Sequence, residues 1–562
     1  MTKTAFPLPN DPQQLRAVAE GMAAQLQAYE QQLAAQEKAY LCETRKLEQS
    51  ARQKDQRIEQ LLDYIQLLRQ KRFGASSERL SKDQLQLFDE AELEALIGEL
   101  EAEVAQAAAS EPAAPAKADN PDAEKATPKR RPLPAHLKRV ERIIDLADAD
   151  KARLGDDWVL IGYEEAEQLA VIARQYYVVR TKRAKYAPVN DQVDVAEQGV
   201  IIAPRAPQIL PKAIGHSSLI AAVVTAKYVD GIPLYRQEKG FAREHIELSR
   251  QTMSGWIVQL NAPLAPLMAL LKQRLFAGRV IQIDETRLQV LNEPGRENTQ
   301  HSYMWVYRGG PPDKPVIWYQ YAESKSAEVP REFLFPSGAT DPPHLGPGSA
   351  GFYIQSDGYA VYHLLAKEPS VIGHMACFAH VRRKFFEAAQ SRKKTGAAHQ
   401  MVALIGKLYQ IERAIKAASP EERKVARTQH AAPVLETIKA WLDEKVTHTV
   451  PGGLLGKAIH YALNLWPVLT TYLEDGHLEI DNNLTENAIR PFVVGRNGWL
   501  FSGSPQGAEA SATLYTLVET AKACGLEPHA YLTYLFEHLP TASTPEALRA
   551  LLPGNLTMQD LG

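Results

Sequence analysis

Three acidic residues stand where their type and spacing could do chemistry. Asp284 lies inside the run VIQIDETRLQVL (280–291), Asp357 follows FYIQS and precedes Gly358, and Glu486 falls in IDNNLTENAIRP (480–491). An unpaired charge in a buried strand is strongly unfavourable unless something offsets it. A turn at 284–286 is the alternative for Asp284, but LQVL resumes the strand with no Gly or Pro break. An Asp-Gly at a strand end is by itself a common turn, so Asp357 gains weight only from a partner. Two such carboxylates brought close repel, and each raises the other's pKa unless a cation neutralises them. Ligation by oxygen alone, without His or Cys, points to Mg²⁺ or Mn²⁺ rather than zinc.

Glu486 is more ambiguous. Asn482 and Asn483 are natural N-caps for a helix expected over 484–494, with Glu486 in its first turn. Arg490 lies four residues on, and an exposed Glu–Arg pair worth a few tenths of a kcal/mol is one reading. Ile489, Phe492 and Val493 argue that the helix packs, and the following GRNGWLFSGS is rich in Gly, Arg and Trp for a connector. Glu486 as a third ligand is the other reading, and pattern alone leaves both open. Asp481 is a rival acid, but five residues along a helix turn it about 140° away from Glu486.

Other groups have weaker signals. Cys377-x-x-His380, with His374 upstream, looks like a metal motif, yet no further Cys lies nearby to complete a structural zinc site. A partly buried Cys with a capping His is the alternative. Arg382, Arg383 and Lys384 just beyond are candidates for phosphate contact. Within IELSRQTMSGWIVQL (246–260), Ser249 would cap a helix. Arg250, Gln251 and Thr252 would fall in its first turn, where a helix-turn-helix reads a DNA groove. A helix that merely packs is the alternative there.

The elements that must position these residues can be read from pattern. Residues 11–72 form a long proline-poor helical stretch in which Leu26, Leu33, Tyr40, Leu47, Leu61 and Leu68 recur every seven residues, interrupted at Lys54; this predicts a coiled coil. KRFGASSERLS ends it, and an acidic helix follows. An Ala/Pro-rich linker then runs through Lys129-Arg130-Arg131. WVLIGY, QYYVVRTKRAKYAPV and GVIIAP suggest a small β-rich module. Residues 213–275 switch to helical periodicity. RVIQIDETRLQVL, HSYMWVYRG and PVIWYQYAES predict an antiparallel meander, SAEVPREFLF a short helix, GFYIQSDGYAVY a fourth strand, and VIGHMACFAHVRRKFFEAAQ a strand running into a helix.

Three strands, a helix, two more strands and a helix is the order of a ribonuclease-H-like domain. In that order the first and fourth strands are neighbours, so Asp284 and Asp357 would stand side by side. The expected fold is thus multidomain α+β: coiled-coil helix 1–72, acidic helix 73–109, linker 110–134, β-rich module 135–212 and helix-turn-helix-like region 213–275. The ribonuclease-H-like α/β core follows at 276–395, interrupted by an all-helical insertion at 396–475. The helix bearing Glu486 is at 476–507 and a helical C-terminal tail at 508–562.

Bulk composition fits a DNA-handling globular protein without demanding it. The 562 residues are 45% hydrophobic and 23% charged, with net charge −3. Residues 73–125 hold 13 Asp/Glu against 4 Lys/Arg, which leaves the remainder net basic. No apolar run reaches membrane-span length and the start lacks a signal-peptide core, so a cytoplasmic protein is expected. Cys42, Cys377 and Cys524 are far apart and form no disulfide framework.

The chain resembles the insertion sequence 66 family of bacterial transposases over nearly its full length. The matching segments are KRFGASSERL, LPAHLKR, DGIPLYRQEKGFAREHIELSRQTMSGW, IQIDETRLQVL, QSDGYAVY, HMACFAHVRRKFFEA, IDNNLTENAIRPFVVGRNGWLFSGS and AKACGLEPHAYL, in the family's order. The resemblance implies a DDE-type transposase whose acids are Asp284, Asp357 and Glu486, holding two Mg²⁺ (or Mn²⁺) ions. It implies cleavage at the element's terminal repeats and transfer of the freed 3′-OH into target DNA. The alternatives are an inactive transposase-derived DNA-binding protein and a nuclease that cuts without joining. Arg490 and Arg496 would grip phosphate and Trp499 would stack on a base or pack in the core. Cys377 and His380 would support the site, as C-x-x-H motifs do in several DDE families. Double-stranded DNA, a second copy paired through the coiled coil, and accessory proteins of the same element are the implied partners. One departure is plain: where family members carry a cysteine-based zinc module, IGYEEAEQLAVIARQYYVVRTKRAKYAPVN has no cysteine, so no zinc is predicted there.

Overall fold

The computed structural model describes residues 175–186, 201–336, 351–390 and 396–561, with six isolated helical positions between Gly21 and Thr44. Apart from those positions, the predicted coiled coil, acidic helix and linker lie outside the described residues, as does most of the β-rich module. The chain divides into two units, 111–205 and the remainder. In the first, β1 (Lys185–Tyr186) pairs antiparallel at Lys185 and Tyr186 with Ile202 and Ile201 of β2 (Ile201–Ile202). Residues 175–184, expected to extend this strand, are described outside it; the Ala184 carbonyl accepts from Ala203 N at 3.0 Å, and Tyr177 and Val178 are exposed. Three basic residues, Arg180, Lys182 and Arg183, interrupt the apolar alternation there.

From residue 206 on, the larger unit has four successive helices: α1 (Ser217–Tyr228), α2 (Leu234–Arg243), α3 (Arg250–Gln259) and α4 (Asn261–Leu275). The run LIAAVV inside α1 has no polar face, and the helix is accordingly buried at Ile220, Ala221, Val223, Val224 and Tyr228. Ser249 caps α3, its hydroxyl accepting from Thr252 N at 3.1 Å, and Glu238 of α2 accepts from Arg250 N at 3.0 Å. Those two bonds set the angle of α3 on α2. Arg250, Gln251, Ser254, Val258 and Gln259 line a shallow hollow of about 770 Å³ beside Leu234.

A five-stranded mixed sheet follows, in the spatial order β5-β4-β3-β6-β7. β3 (Val280–Gln289), β4 (His301–Gly309) and β5 (Val316–Ala322) form an antiparallel meander. β6 (Phe352–Ser356) and β7 (Val371–Ala376) join parallel to β3 through crossovers carrying α5 (Glu328–Leu334) and α6 (Ala360–Leu365). The interior strand β6, flanked by β3 and β7, is buried at every position, which accounts for its unbroken apolar start.

α7 (Phe378–Gln390), α8 (Ala397–Ala414), α10 (Ala432–Val446) and α11 (Leu454–Leu469) share an apolar cluster with Tyr353 and Met375 of the sheet. Short α9 (Pro420–Ala426) runs into a π-helical turn, Arg427–Ala431. A second cluster lies between the sheet and α1, α3, α4, α12 (Asn483–Trp499), α13 (Pro505–Ala523) and α14 (Pro528–His538). Helix α15 (Pro545–Ala550) is followed by a 3-10 turn, Pro553–Asn555. α13 covers the open edge of β5: Thr520 and Thr516 hydroxyls accept from Ile317 N at 3.1 Å and Tyr319 N at 2.9 Å. The edge is thereby satisfied by side chains rather than left to pair with another chain. Residues beyond 508, read from sequence as a tail, thus complete the core. No single helix among the described residues is long and apolar enough to cross a membrane.

Candidate active site

The register of β3 on β6 pairs Val280 with Tyr353, Ile281 with Ile354 and Gln282 with Gln355. The pairing ends there, two residues short of Asp284 and of Asp357, which follows the last residue of β6; the two carboxyls lie near enough for the charge of Asp357 to act on Asp284. β3 runs through Asp284 without a break, so the turn alternative is excluded. Asp284 Oδ1 accepts its neighbour's amide, Glu285 N, at 2.8 Å. Loss of water around this carboxyl, then the charges of Glu285 and Asp357, push it well above the usual carboxylate range. Asp357 is also the turn residue its Gly suggested: Oδ1 accepts from Tyr359 N at 2.9 Å, and Gly358 takes φ +86°. A Cβ at Gly358 would meet Leu465 at 2.8 Å.

A third acid joins this end of the sheet. Glu285 takes Lys325 Nζ at 2.5 Å and the Tyr362 hydroxyl at 2.6 Å. Burial raises its pKa and Lys325 opposes that rise. Lys325 also sits 4.3 Å from the Tyr359 ring and feels Asp357. Three carboxylates thus face one ammonium, an excess of negative charge that suits a hard divalent cation.

The late helix is tied to the same place by two glutamines. Gln282 Nε2 donates to Gln355 Oε1 at 3.2 Å across β3 and β6. Gln355 Nε2 donates to the carbonyls of Glu479 at 2.8 Å and Asp481 at 2.6 Å, and Thr485 donates to Gln282 Oε1 at 3.0 Å. The segment entering α12 is therefore clamped two residues short of each aspartate. Sequence reasoning missed both glutamines, although the signal was present: Gln282-x-Asp284 and Gln355-x-Asp357 repeat one spacing in two strands. It also missed Glu285, Lys325 and Tyr362.

Helix α12 differs from the expected 484–494 in running to Trp499, straight through Pro491. Its buried stripe of Ile489, Phe492, Val493 and Arg496 continues, and it stops where Leu500 takes φ +66°. Asn482 is not a side-chain cap. It is fully buried, donating Nδ2 to Ile283 O at 3.3 Å and its amide to Cys377 Sγ at 3.2 Å. The rival Asp481 bonds Tyr409 and accepts from Asn483 N at 3.1 Å.

Glu486 is 5% exposed, so it is not the solvated surface residue of the simpler reading. Its carboxylate faces α7: Oε1 lies 3.5 Å from His380 Nδ1 and Oε2 lies 3.9 Å from an Arg383 nitrogen. Cys377 Sγ completes a group of ligand atoms within 4.8 Å of one another. Sequence spacing offered His374 as a possible third group beside Cys377 and His380; in the fold it is Glu486 that lies next to them. Burial, then the charges of Glu486 and Asp481, push the Cys377 thiol up. His374 is buried on β7, with Nε2 2.8 Å from Ser356 Oγ; burial and His363 push it down to about 3.

The basic residues separate into two groups. Arg250, Gln251, Thr252 and Lys384 are exposed. Lys384 Nζ lies 4.7 Å from the Tyr461 ring, and Tyr461 donates to Asp357 O at 3.0 Å. Arg382 lies over Tyr409, and Arg490 is half-buried on α12. Arg496 is 7% exposed, and its guanidinium bonds Thr286 Oγ1 at 3.1 Å and the Arg287 carbonyl. It staples α12 to β3 and is not open to phosphate, against expectation. Trp499 packs edge-on against Phe492 at 5.4 Å with the Lys227 ammonium 5.1 Å from its ring, which favours the packing alternative over base stacking.

Comparison with known proteins defines the class. Residues 212–510 match the family described as Transposase IS66 family, and residues 516–553 the IS66 C-terminal element. Residues 60–142 match the description Transposase C of IS166 homeodomain, a DNA-binding type of region that lies outside the described residues. The sequence reading took KRFGASSERL and LPAHLKR within this span as family segments but gave it no DNA-binding role. The chain belongs to the IS66 family of transposases, which supports a transposase role. It is similar to two uncharacterized proteins of Sinorhizobium fredii (strain NBRC 101917 / NGR234). One, y4qI, is 28% identical over 572 residues, covering 99% of each chain. The other, y4jD, is 32% identical over 446 residues, covering 76% of this chain and 82% of its own.

Proposed function

We propose that the protein is a DDE transposase that cuts DNA at the ends of its element and joins the freed 3′-OH to target DNA. Asp284, Asp357 and Glu486 are its catalytic acids. The observation supporting this reading is the adjacency of the parallel strands β3 and β6, which lead into Asp284 and Asp357, with the entry to α12 clamped to both strands through Gln282 and Gln355. The strand order, antiparallel for three strands and parallel for two, supports a ribonuclease-H-like core.

The donor set fits Mg²⁺ or Mn²⁺: the aspartate pair offers oxygen only, and its charge is incompletely offset by Lys325. Two such ions, held by the three acids, would supply Lewis-acid activation of the attacking oxygen and charge neutralisation at the leaving one. The chain's own groups do the rest. Gln282 and Gln355 hold α12 in place. Lys325 orients Glu285 and limits repulsion among the acids. Lys384 and Arg382 offer cations to the DNA backbone. In the first step water attacks a phosphodiester, the P–O3′ bond breaks and a 3′-OH leaves. In the second that 3′-OH attacks a target phosphodiester; one ester replaces another, so no nucleotide cofactor is consumed.

Helix α3 presents Arg250, Gln251 and Thr252 as a groove-reading face, set by the Ser249 cap and Glu238. The heptad pattern near the N-terminus would pair two protomers so that two sites meet two DNA ends. The test uses DNA carrying the element's terminal repeats and the variants Asp284→Asn, Asp357→Asn and Glu486→Gln. Each should lose at least a thousandfold in Mg²⁺-dependent cleavage while gel-shift affinity stays within threefold. Wild-type cleavage by Glu486→Gln would overturn the assignment, and cutting without joining would reduce the protein to a nuclease.

A further inference from the structure

We infer that Cys377, His380 and Glu486 form a binding site for a zinc-class divalent metal, and that filling it withdraws Glu486 from the aspartate pair. The second half rests on the catalytic role proposed for Glu486.

The geometry is nearly assembled. β7 ends at Ala376, Cys377 follows in the turn and His380 lies in the first turn of α7. One ligand atom from each residue lies within 4.8 Å of the others, and His380 Nδ1 is 3.5 Å from Glu486 Oε1. A tetrahedral centre with bonds of about 2.0–2.3 Å has ligand-to-ligand edges of roughly 3.3–3.8 Å. The His–Glu edge already has that length, and the sulfur must approach by about 1 Å. Glu486 divides its two oxygens usefully: Oε2 faces Arg383, so Oε1 is the one directed at the site.

The donor chemistry selects the ion. Sulfur, imidazole nitrogen and one carboxylate oxygen suit Zn²⁺ or Co²⁺ and are avoided by Mg²⁺. The backbone amides of Asn482 and His380 both donate to the sulfur, as they would to a ligating sulfur, and this positions it toward the site. Phe378 N bonds Ile480 O at 3.1 Å, fixing the Cys377 turn against the entry to α12. Three protein ligands leave a fourth position for water.

The two sites therefore differ in hardness and share one side chain. The aspartate side is all oxygen; the α7 side is Cys and His. A zinc-class ion on the α7 side would hold Glu486 where it now points, and magnesium-dependent cleavage would need it on the other.

The full-length, metal-free chain titrated with Co²⁺ tests this. One equivalent should give the near-ultraviolet thiolate-to-cobalt band and intense visible bands of a tetrahedral centre, and Zn²⁺ should bleach both. Cys377→Ser should abolish the thiolate band. His380→Ala, at a half-buried position where folding is less at risk, should weaken Co²⁺ binding at least tenfold. Asp284→Asn and Asp357→Asn should leave the spectrum unchanged. A thiolate band surviving in Cys377→Ser, or wild-type affinity in a folded His380→Ala, overturns the site. In the second arm, Zn²⁺ should inhibit Mg²⁺-dependent cleavage, with the midpoint at least tenfold higher in Cys377→Ser, each variant measured against its own zinc-free rate. A cobalt spectrum as expected without zinc inhibition overturns the competition alone. Absence of cleavage under every condition would count against the catalytic reading, while the spectra still report on the metal site.

Discussion

Replacing Arg427 by Met should destabilise the larger unit by about 4 kcal/mol, although the residue lies outside the candidate active site. Arg427 is fully buried and makes five bonds. Two go to Glu412, at 2.9 and 2.7 Å. Three go to the carbonyls of Tyr472 at 3.0 Å, Asp475 at 3.1 Å and Leu478 at 2.8 Å. Those carbonyls belong to the segment that leads into Asp481 and α12, so the guanidinium fixes the approach to Glu486. Breaking a buried pair by removing one partner costs about 3–5 kcal/mol. The orphaned carbonyls add about 1 kcal/mol or more each where water cannot reach them. Against this, Met fills part of the space, and Arg423 remains 3.5 Å from Glu412. The balance leaves a loss of about 4 kcal/mol. Urea unfolding followed by tryptophan fluorescence measures it, since Trp441 and Trp466 lie in the helical block around this pair. The double variant Arg427→Met/Glu412→Leu should recover about 1–2 kcal/mol relative to Arg427→Met, because it removes the stranded carboxylate. A loss below 1 kcal/mol in the single variant, or a double variant worse than the single, would refute the reasoning.

Two further outcomes follow from the same geometry. His374 is pushed down to about 3 in the folded chain, so below its ordinary value near 6.5 the unfolded chain binds a proton that the folded chain refuses. Its contribution is complete above that value and is lost as pH falls toward 3, amounting to about 2 kcal/mol between pH 7 and pH 5. The slope of denaturant midpoint against pH should flatten by that amount in His374→Gln; identical slopes would contradict it. Gln355→Leu strands the Glu479 and Asp481 carbonyls and Gln282, and should lower stability by about 3 kcal/mol. It should also reduce the cleavage rate at saturating DNA at least tenfold, with affinity nearly unchanged; an unaltered rate would dissociate the clamp from catalysis.

The strands carrying the aspartates were legible because their apolar runs are short, β-rich and bounded by Gly and Pro. The adjacency of β3 and β6 was legible from the ribonuclease-H-like order of elements, which is what brought Asp284 and Asp357 forward as a candidate pair. The Ser249 cap was equally readable, since a cap is a local bond. What pattern could not carry were contacts between distant segments. Gln282 and Gln355 look like ordinary polar positions until the register brings them together. Asn482 has the composition of an N-cap, but the Ile283 carbonyl takes its amide instead. Arg496, in a Gly- and Asn-rich run, reads as a surface cation and is buried against β3. The direction of Glu486 was beyond reach for a related reason: period shows which face of α12 it occupies, not which neighbouring element it meets. It meets α7, through His380 and Arg383.

The most direct measurement is the Mn²⁺ anomalous diffraction signal from crystals of the full chain bound to its terminal-repeat DNA. Anomalous peaks ligated by Asp284 and Asp357 are expected, with the Glu486 carboxylate turned from His380 to join them. Manganese bound elsewhere, or Glu486 still lying against His380 and Arg383 with the DNA end in place, would contradict it.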